Sequence, residues 1–219
     1  MYGDFVMMVD DMVGQIMRRL EQHQLAENTI LIFTSDNGPV WYPADTQRLG
    51  HSSTGPLRGM KADSYEGGHR VPFIVRWPAK TPADSVNNHL ICHTDMLATF
   101  AKLTGQSIPE GQAPDSINQS VLLHSAQLSE SPRETLITSN GRQYFGVRHG
   151  NWKLITGLGS GGFTQPRDVK PKPNGPSGQL FNLQDDLGER NNLWEEHPEV
   201  VQRLQDILKQ SQDRGSTIR

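Results

Sequence analysis

The stretch that decides the fold is TILIFTSDNG, residues 29–38. Its first six residues are apolar or β-branched without alternation, a pattern typical of a central strand covered on both faces. A helical pattern precedes it, because apolar residues recur at steps of three and four from Phe5 to Leu20. A helix that leads into a buried strand is the repeating unit of an α/β sheet. The sequence therefore predicts the α/β class.

Polar side chains follow this strand at the position where α/β sheets bind ligands, beyond the carboxyl end. Asp36 and Asn37 are hard oxygen donors, which suit Ca²⁺ or Mg²⁺ better than zinc. Asp-Asn-Gly is also an ordinary turn sequence. Calcium takes about 6–8 oxygen ligands, and no nearby Asp/Asn cluster at loop spacing completes the set. Two interpretations stay open: either no metal binds, or further ligands come from outside this chain.

A second block of motifs adds a cation. Residues 55–61, GPLRGMK, form a glycine-punctuated loop that ends in Lys61, and Gly67-Gly68 forms a second tight turn. Residues 71–78, VPFIVRWP, are typical of a strand bounded by prolines. Glycines let the backbone approach a ligand closely, although most lysines are simply exposed. Beside a metal-type turn, Lys61 is a candidate for binding an anionic group.

Composition limits the class of protein. The chain has 219 residues, enough for one large domain or one medium and one small domain. Hydrophobic residues make up 34% and charged residues 21%, which fits a globular chain. The net charge of -3 gives no indication of nucleic acid binding, and no apolar run approaches the ~20 residues of a membrane span. The single cysteine, Cys92, excludes an internal disulfide, and no signal peptide pattern is found.

The ordered motifs resemble those of formylglycine-dependent sulfatases, the arylsulfatase-type branch of the alkaline phosphatase superfamily. The resemblance is to the C-terminal portion of that family and covers most of the chain. Its most specific parts are residues 34–38 (TSDNG), 57–61 (LRGMK) and 65–78 (YEGGHRVPFIVRWP). Weaker similarity continues through residues 93–100, 146–155 and 180–193.

The resemblance implies roles for individual residues. Asp36 and Asn37 would be two ligands of an active-site Ca²⁺, with Mg²⁺ the weaker candidate. Lys61 would be catalytic, since it would contact the substrate sulfate and the ester oxygen and stabilise negative charge as the S–O bond breaks. The metal would polarise the sulfate.

Further positions in the same motifs carry less specific expectations. His69 would bind substrate at the edge of the site, and a structural or exposed histidine is the competing interpretation. Arg58, Glu66 and Arg70 would shape the loop, and an Arg–Glu pair would fix the segment that presents Lys61.

The chain departs from the family pattern in two respects. The family carries its nucleophile in a Cys/Ser-x-Pro-x-Arg motif, and nothing here matches: Cys92 is followed by His93-Thr94-Asp95, and Ser131-Pro132-Arg133 has the wrong spacing. The family's N-terminal aspartate pair is also missing. The formylglycine is therefore expected in polypeptide N-terminal to this chain, and the chain alone is expected to be an inactive fragment.

The resemblance also implies an architecture. Residues 1–125 would be the C-terminal part of the catalytic domain, within an alkaline-phosphatase-like sheet, and residues 126–219 a small α+β subdomain built from an antiparallel sheet and a packed helix. Within the first part, a helix over residues 94–103 would be capped by Thr94 and end at Gly105. The connection over 106–133 would lie on the surface.

Pattern and turn signals predict the elements of the second part. Hairpin turns fall at Asn140-Gly141 and His149-Gly150-Asn151, and the last helix opens at Pro198. Residues 163–178, rich in Pro, Gly and Lys, would form a mobile loop. The strands are predicted at residues 135–139, 144–148, 152–156 and 179–183.

The function implied is Ca²⁺-dependent hydrolysis of sulfuric esters, with a sulfated small molecule or polysaccharide as substrate. Two alternatives stay open. One is a phosphate or phosphonate ester hydrolase of the same superfamily, and the other is a non-catalytic relic that binds sulfated glycans. Neither a nucleic acid partner nor a membrane span is expected, and the family implies a periplasmic or secreted protein.

Overall fold

The computed structural model describes residues 2–124, 131–141 and 144–217. Among these residues, no helix is both long and apolar enough to cross a bilayer. A turn of 3₁₀ helix covers Ala26–Asn28. The helices are α1 (Tyr2–Gln22), α2 (Pro43–Leu49), α3 (Glu66–His69), α4 (Asp95–Leu103), α5 (Ser120–His124) and α6 (Pro198–Arg214), and the strands are β1 (Leu31–Thr34), β2 (Phe73–Arg76), β3 (Thr135–Ser139), β4 (Phe145–His149), β5 (Trp152–Ile155) and β6 (Gln179–Asn182).

The first sheet contains β1 and β2, which pair antiparallel with Leu31 opposite Arg76 and Thr34 opposite Phe73. Both predicted strands are confirmed. The expectation that β1 is covered on both faces is wrong for this chain, because its side chains are half-buried or exposed. Within the part of the chain that the structure describes, β2 is the only strand beside it.

Helix α1 confirms the predicted periodicity, but it buries none of its residues. Phe5, Met8 and Met12, on the predicted apolar stripe, have exposed fractions of 61%, 51% and 55%. The adjacent carboxylates of Asp10 and Asp11 are exposed as well. The described residues therefore leave most of the stripe exposed, while Val13 and Leu20 near its C-terminal end are half-buried.

The second sheet is an antiparallel meander in the order β3-β4-β5-β6. The turn between β4 and β5 is the one predicted at residues 149–151: His149 pairs with Trp152, and Gly150 adopts the left-handed φ of 57°. The connection between β3 and β4 begins at Asn140-Gly141, as predicted, and Gly141 has a left-handed φ of 73°. Residues 142 and 143 lie outside the described residues. The predicted module boundary at 125/126 also lies outside them.

Helix α6 covers one face of the meander, as expected for a small sheet-and-helix module. Leu204 and Leu154 are completely buried where helix and sheet meet. The other buried members of this core are Val147, Leu180, Val200, Val201 and Leu208.

We call residues 2–124 the first module and the described residues from 131 to 217 the C-terminal module. A residue of the first module packs on the opposite face of the meander. Tyr65 packs against Tyr144, Ile155 and Phe181, and its hydroxyl donates a 2.9 Å hydrogen bond to Gln179 Oε1. Tyr65 comes from the YEGGHR motif, so one of the candidate site motifs is anchored in the core of the C-terminal module.

A buried ion pair connects α4 to the start of the C-terminal module. Arg133 is 1% exposed, and its guanidinium lies 2.5 and 2.9 Å from the carboxylate oxygens of Asp95. That carboxylate also accepts the backbone N–H groups of Cys92 and Ile117. Burial opposes ionisation, but Arg133 and these donors together hold the pKa of Asp95 below its usual value. The prediction of a surface connection over 106–133 is therefore wrong at Arg133, and also at Gln119 and Leu123, which are buried.

Two local predictions around α4 have different outcomes. Gly105 follows the helix with a φ of 71°, the left-handed conformation expected of a C′ glycine. The predicted Thr94 cap is wrong, because the Thr94 hydroxyl makes no capping hydrogen bond and donates instead to the carbonyl of Asp115.

A second buried charge cluster joins the modules through β5. The Lys153 ammonium is 2.9 Å from Glu66 Oε1 and 2.8 Å from Glu189 Oε1, and all three side chains are almost fully buried. Glu189 also accepts the backbone N–H of Glu66 at 2.6 Å. Burial opposes ionisation of Glu66, but Lys153 and the hydrogen bond from His69 hold its pKa well below the usual range. Burial raises the pKa of Glu189.

We expect Asp95→Asn to destabilise the chain by about 3–5 kcal/mol, because it leaves the Arg133 guanidinium buried without a counter-ion. Urea unfolding measures this loss. The control is Arg48→Ala, which breaks the exposed pair with Asp45 and should cost less than about 1 kcal/mol. Equal losses in the free energy of unfolding for the two variants would show that the buried Asp95–Arg133 pair contributes no more than an exposed ion pair.

We expect the destabilisation caused by Lys153→Met to be greater at pH 7 than at pH 5. In the native cluster, Glu66 has a lowered pKa, so its ionised form stabilises the fold above the unfolded pKa and is lost at lower pH. Without the ammonium, Glu66 faces Glu189, and the guanidinium groups of Arg70 and Arg148, 3.6 and 3.7 Å from Glu66 Oε2, are the cations that remain beside it. Both folded pKa values should then rise relative to the native cluster, so the variant should lose more stability relative to the native chain as the pH rises from 5 to 7.

Urea unfolding at both pH values tests this, with Lys209→Met as the control because Lys209 is exposed on α6. A Lys153→Met penalty that is the same at pH 5 and pH 7 would show that the Lys153 ammonium does not hold Glu66 ionised.

Candidate functional site

Backbone hydrogen bonds bring the three central motifs together. The N–H of Gly38 donates to the carbonyl of Gly68 at 3.0 Å, and the N–H of Lys61 donates to Pro39 at 2.9 Å. The N–H of Gly67 donates to the carbonyl of Arg58 at 2.8 Å. The turn at 35–38, the loop at 57–61 and the YEGGHR segment at 65–70 therefore form one contiguous structure.

Glycine is required at the junction by crowding. A Cβ atom on Gly38 would lie 1.8 Å from the carbonyl oxygen of Gly67, and one on Gly68 would lie 2.1 Å from that of Asp63. No side chain fits at either place. The close backbone approach expected of these glycines is thus an approach between segments of the chain itself.

A cleft of about 570 Å³ opens at this junction, and Asn37, Lys61 and Arg70 line it together with Ser35. Asp36, between Ser35 and Asn37, is exposed. The structure therefore brings the predicted metal-type turn and the predicted cation to one cleft, at the carboxyl end of β1.

The turn presents oxygen atoms that suit a hard cation. The Ser35 hydroxyl donates to the carbonyl of Asn37 at 3.1 Å and fixes the turn. The Asn37 amide nitrogen donates to the carbonyl of Gly38 at 3.1 Å, so Oδ1 is the side-chain atom that Asn37 offers to a ligand. In the described ranges, no group of three or more His, Cys, Asp and Glu side chains could hold a metal. Asp36 and Asn37 fit a calcium ion as part of a ligand set.

His69 lies apart from this cleft. Its Nε2 is 3.3 Å from Glu66 Oε1 and 3.5 Å from the Lys153 ammonium, and it lines a different cavity of about 870 Å³ with Arg148 and Lys153. Burial and the neighbouring Lys153 lower the pKa of the imidazole. A role for His69 in substrate binding stays a prediction.

The expected Arg–Glu pairing forms with Arg70, whose guanidinium lies 3.6 Å from Glu66 Oε2. Arg58 is held differently. It donates to the backbone carbonyl of Glu189 at 2.6 Å and stacks 3.9 Å above the Tyr65 ring. Both arginines thus support the segment around Lys61, and Arg58 does so through the C-terminal module.

Sequence reasoning missed Asp63, Lys153 and Glu189. Lys153 stands between Trp152 and Leu154 in a predicted strand, and period-two alternation places it on the face opposite Leu154. Ile155 shares that face, and its apolar side chain was the available signal that the face is covered. Asp63 and Glu189 lie in loops and had no comparable signal.

Comparisons with known proteins identify the family. The sequence profile of the family described as Sulfatase matches residues 1–106. The chain is 37% identical, over 94% of its length, to an N-acetylgalactosamine-6-O-sulfatase of Bacteroides thetaiotaomicron, of which it spans 41%. It is 35% identical over 69% of its length to an arylsulfatase of Hemicentrotus pulcherrimus, of which it spans 26%. The chain therefore spans less than half the length of these relatives.

Solved structures give the same result. A structure described in connection with glycosaminoglycan metabolism by Bacteroides thetaiotaomicron superposes with a TM-score of 0.81 at 36% identity, covering 95% of this chain and 44% of that one. A sulfatase from Pseudoalteromonas sp. gives a TM-score of 0.73 at 28% identity, covering 92% of this chain and 40% of that one. The mixed α/β fold with antiparallel sheets is that of these neighbours. Motifs, fold and relatives converge: this chain belongs to the sulfatase family and matches the C-terminal portion of its members.

Proposed function

We propose that this chain forms the metal-turn and lysine part of a Ca²⁺-dependent active site that hydrolyses sulfate esters. The observation that carries the proposal is that Asn37 and Lys61 line one cleft, with Asp36 adjacent. In this proposal the formylglycine nucleophile comes from polypeptide N-terminal to the region described, and the chain alone is inactive.

Lys61 is the residue proposed to act on the substrate. Its backbone N–H is fixed to the carbonyl of Pro39, immediately after the metal-type turn, so its ammonium extends from a defined point beside Asn37. A cation held there binds the sulfate and stabilises the negative charge that develops on the ester oxygen as the S–O bond breaks. Arg70 adds a second cation to the cleft, partly neutralised by Glu66.

Asp36 and Asn37 would hold the calcium ion. Calcium is preferred over magnesium because flexible sets of carboxylate and carbonyl oxygens suit its larger and less regular coordination sphere. When bound, the ion would supply Lewis-acid polarisation of the sulfate. The exposed position of Asp36 leaves its carboxylate open to ligands from other polypeptide.

The proposed substrate class is a sulfated sugar, either a small molecule or part of a polysaccharide. The names of the relatives, N-acetylgalactosamine-6-O-sulfatase among them, support this class. The cleft volume of about 570 Å³ falls within the roughly 300–1,000 Å³ typical of small-molecule sites. A periplasmic or secreted location is part of the proposal and follows from the family.

We expect the complete reading frame that contains this chain to encode a Cys/Ser-x-Pro-x-Arg motif, and its protein to hydrolyse 6-O-sulfated N-acetylgalactosamine. Lys61→Ala should lower kcat about 10²–10³-fold, as loss of one charge-stabilising donor does elsewhere. Lys61→Arg should keep part of the activity, because the charge remains but the geometry changes.

Steady-state kinetics on matched sulfate and phosphate esters measure these effects, with the exposed Lys80 changed to Ala as the control. A reading frame without the nucleophile motif, or turnover that Lys61→Ala leaves intact, would remove the proposal. Faster hydrolysis of the phosphate ester would favour the alternative function, a phosphate ester hydrolase of the same superfamily.

We expect this chain alone to bind Ca²⁺ weakly, with a Kd on the order of 10⁻³ M or weaker, because two protein ligands leave most of the coordination sphere to water. Calorimetric titration measures it, and Asp36→Ala should abolish the residual heat. Asp45→Ala, on the exposed side of α2, is the control. Tight stoichiometric binding would mean that the ligand set within this chain is larger than proposed.

A further inference from the structure

Lys61 occupies the centre of a tight and strained turn. The N–H of Asp63 donates to the carbonyl of Met60 at 3.0 Å, which makes Lys61 and Ala62 the two central residues of a β-turn. Ala62 has a φ of 71°, a conformation that favours glycine at this position. Because a residue with a Cβ atom adopts it at a cost, the surroundings must hold the turn in place.

The Asp63 carboxylate holds the turn from its own side. Asp63 is 3% exposed, and its Oδ2 accepts the backbone N–H of Met60 at 2.8 Å. Met60 and Asp63 are thus joined by reciprocal hydrogen bonds, with Lys61 between them. Bonds to an ionised carboxylate are stronger than those between neutral groups.

The same carboxylate is bound by a loop of the C-terminal module. Asp63 Oδ1 accepts the backbone N–H groups of Phe163 and Thr164 at 2.6 and 3.0 Å, and Oδ2 accepts the Thr164 hydroxyl at 2.5 Å. The N–H of Ser64 donates to the carbonyl of Ser160 at 2.8 Å. We call residues 158–169 the support loop.

Close packing seals the contact between turn and support loop. A Cβ atom on Gly162 would lie 2.1 Å from the carbonyl oxygen of Ala62 and 2.5 Å from Asp63 Oδ1. The strained residue itself therefore rests against the support loop, and only glycine allows the approach.

Hydrogen bonds fix the support loop itself. The prediction of a mobile loop over residues 163–178 is therefore wrong for residues 163–169, which belong to the support loop. The Gly162 N–H donates to Ser160 Oγ at 3.0 Å, and the Ser160 hydroxyl donates to the backbone carbonyl of Thr164 at 2.5 Å. Leu158 and Val169 pair as an isolated bridge. The Tyr144 hydroxyl, next to β4, bonds to the carbonyl of Leu158 and to Asp168.

We propose that the support loop positions Lys61, and that Asp63 and Thr164 are the positioning residues. The inference rests on the proposed function for its effect on turnover. Asp63 and Thr164 touch neither substrate nor metal in this scheme. They set the direction of the Lys61 side chain by holding both ends of the turn. The hydrogen bond from the Lys61 N–H to the carbonyl of Pro39 fixes the position of that turn relative to Asp36 and Asn37.

Thr164→Val in this chain removes the hydroxyl donor with little change in shape, and Thr164→Ser keeps it. Amide hydrogen exchange over residues 60–64, read by mass spectrometry, should accelerate about tenfold in Thr164→Val and stay within about twofold of wild type in Thr164→Ser. The control is Thr99→Val, which removes another buried hydroxyl, one that donates to the carbonyl of Asp95 and accepts the N–H of Gln119. Exchange over 60–64 that is the same in Thr164→Val and Thr99→Val would overturn the proposal.

Kinetics of the complete protein provide the second test. Thr164→Val should lower kcat about tenfold with KM within about twofold, since a small misplacement of a catalytic group acts mainly on the transition state, and Thr164→Ser should retain kcat. If the wild-type protein is an active sulfatase and Thr164→Val leaves kcat unchanged, the positioning role is overturned. A wild-type protein without sulfatase activity would overturn the proposed function, while hydrogen exchange would still decide whether the support loop holds the turn.

Discussion

The rest of the structure depends on one buried ammonium group. Lys153 extends from the meander and lies between Glu66 of α3 and Glu189 of the C-terminal module. A buried charge is tolerated only when it is paired and hydrogen-bonded, so this contact fixes how the two modules meet. Tyr65 and Arg58, placed beside this cluster, extend the contact towards Lys61. The cleft is therefore shaped from the C-terminal side as well as from β1.

The site combines two constraints of different physical kinds. Crowding at Gly38 and Gly68 leaves no room for side chains, so the segments are held at backbone contact distance. Charge-assisted hydrogen bonds at Asp63 then fix the turn that carries Lys61. Packing determines where the segments lie, and the carboxylate determines the direction of the functional side chain. Neither constraint alone would bring the lysine to the metal-type turn.

The sequence predicted the parts of this protein that depend on local pattern. Apolar and β-branched runs bounded by turn signals located β1 to β6, helical periodicity located α1, and glycine chemistry located the turns at Gly105 and Gly150. The motifs around Asp36 and Lys61 were recognisable because they are continuous in sequence. Contacts between distant residues were not predictable, since nothing near Arg133 or Asp63 indicates its partner. The Thr94 cap failed because Thr94 itself has helical dihedral angles, φ -59° and ψ -24°, whereas a capping residue is extended.

Tyr65 has a consequence for cooperativity. Its ring belongs to the core of the meander while its neighbours Glu66, Gly67 and Gly68 build the cleft. Unfolding the meander would remove the packing around this ring, and unfolding the segment around Tyr65 would open the face of the meander. The packing of this one ring therefore couples the meander to the cleft, and we expect the two to unfold together.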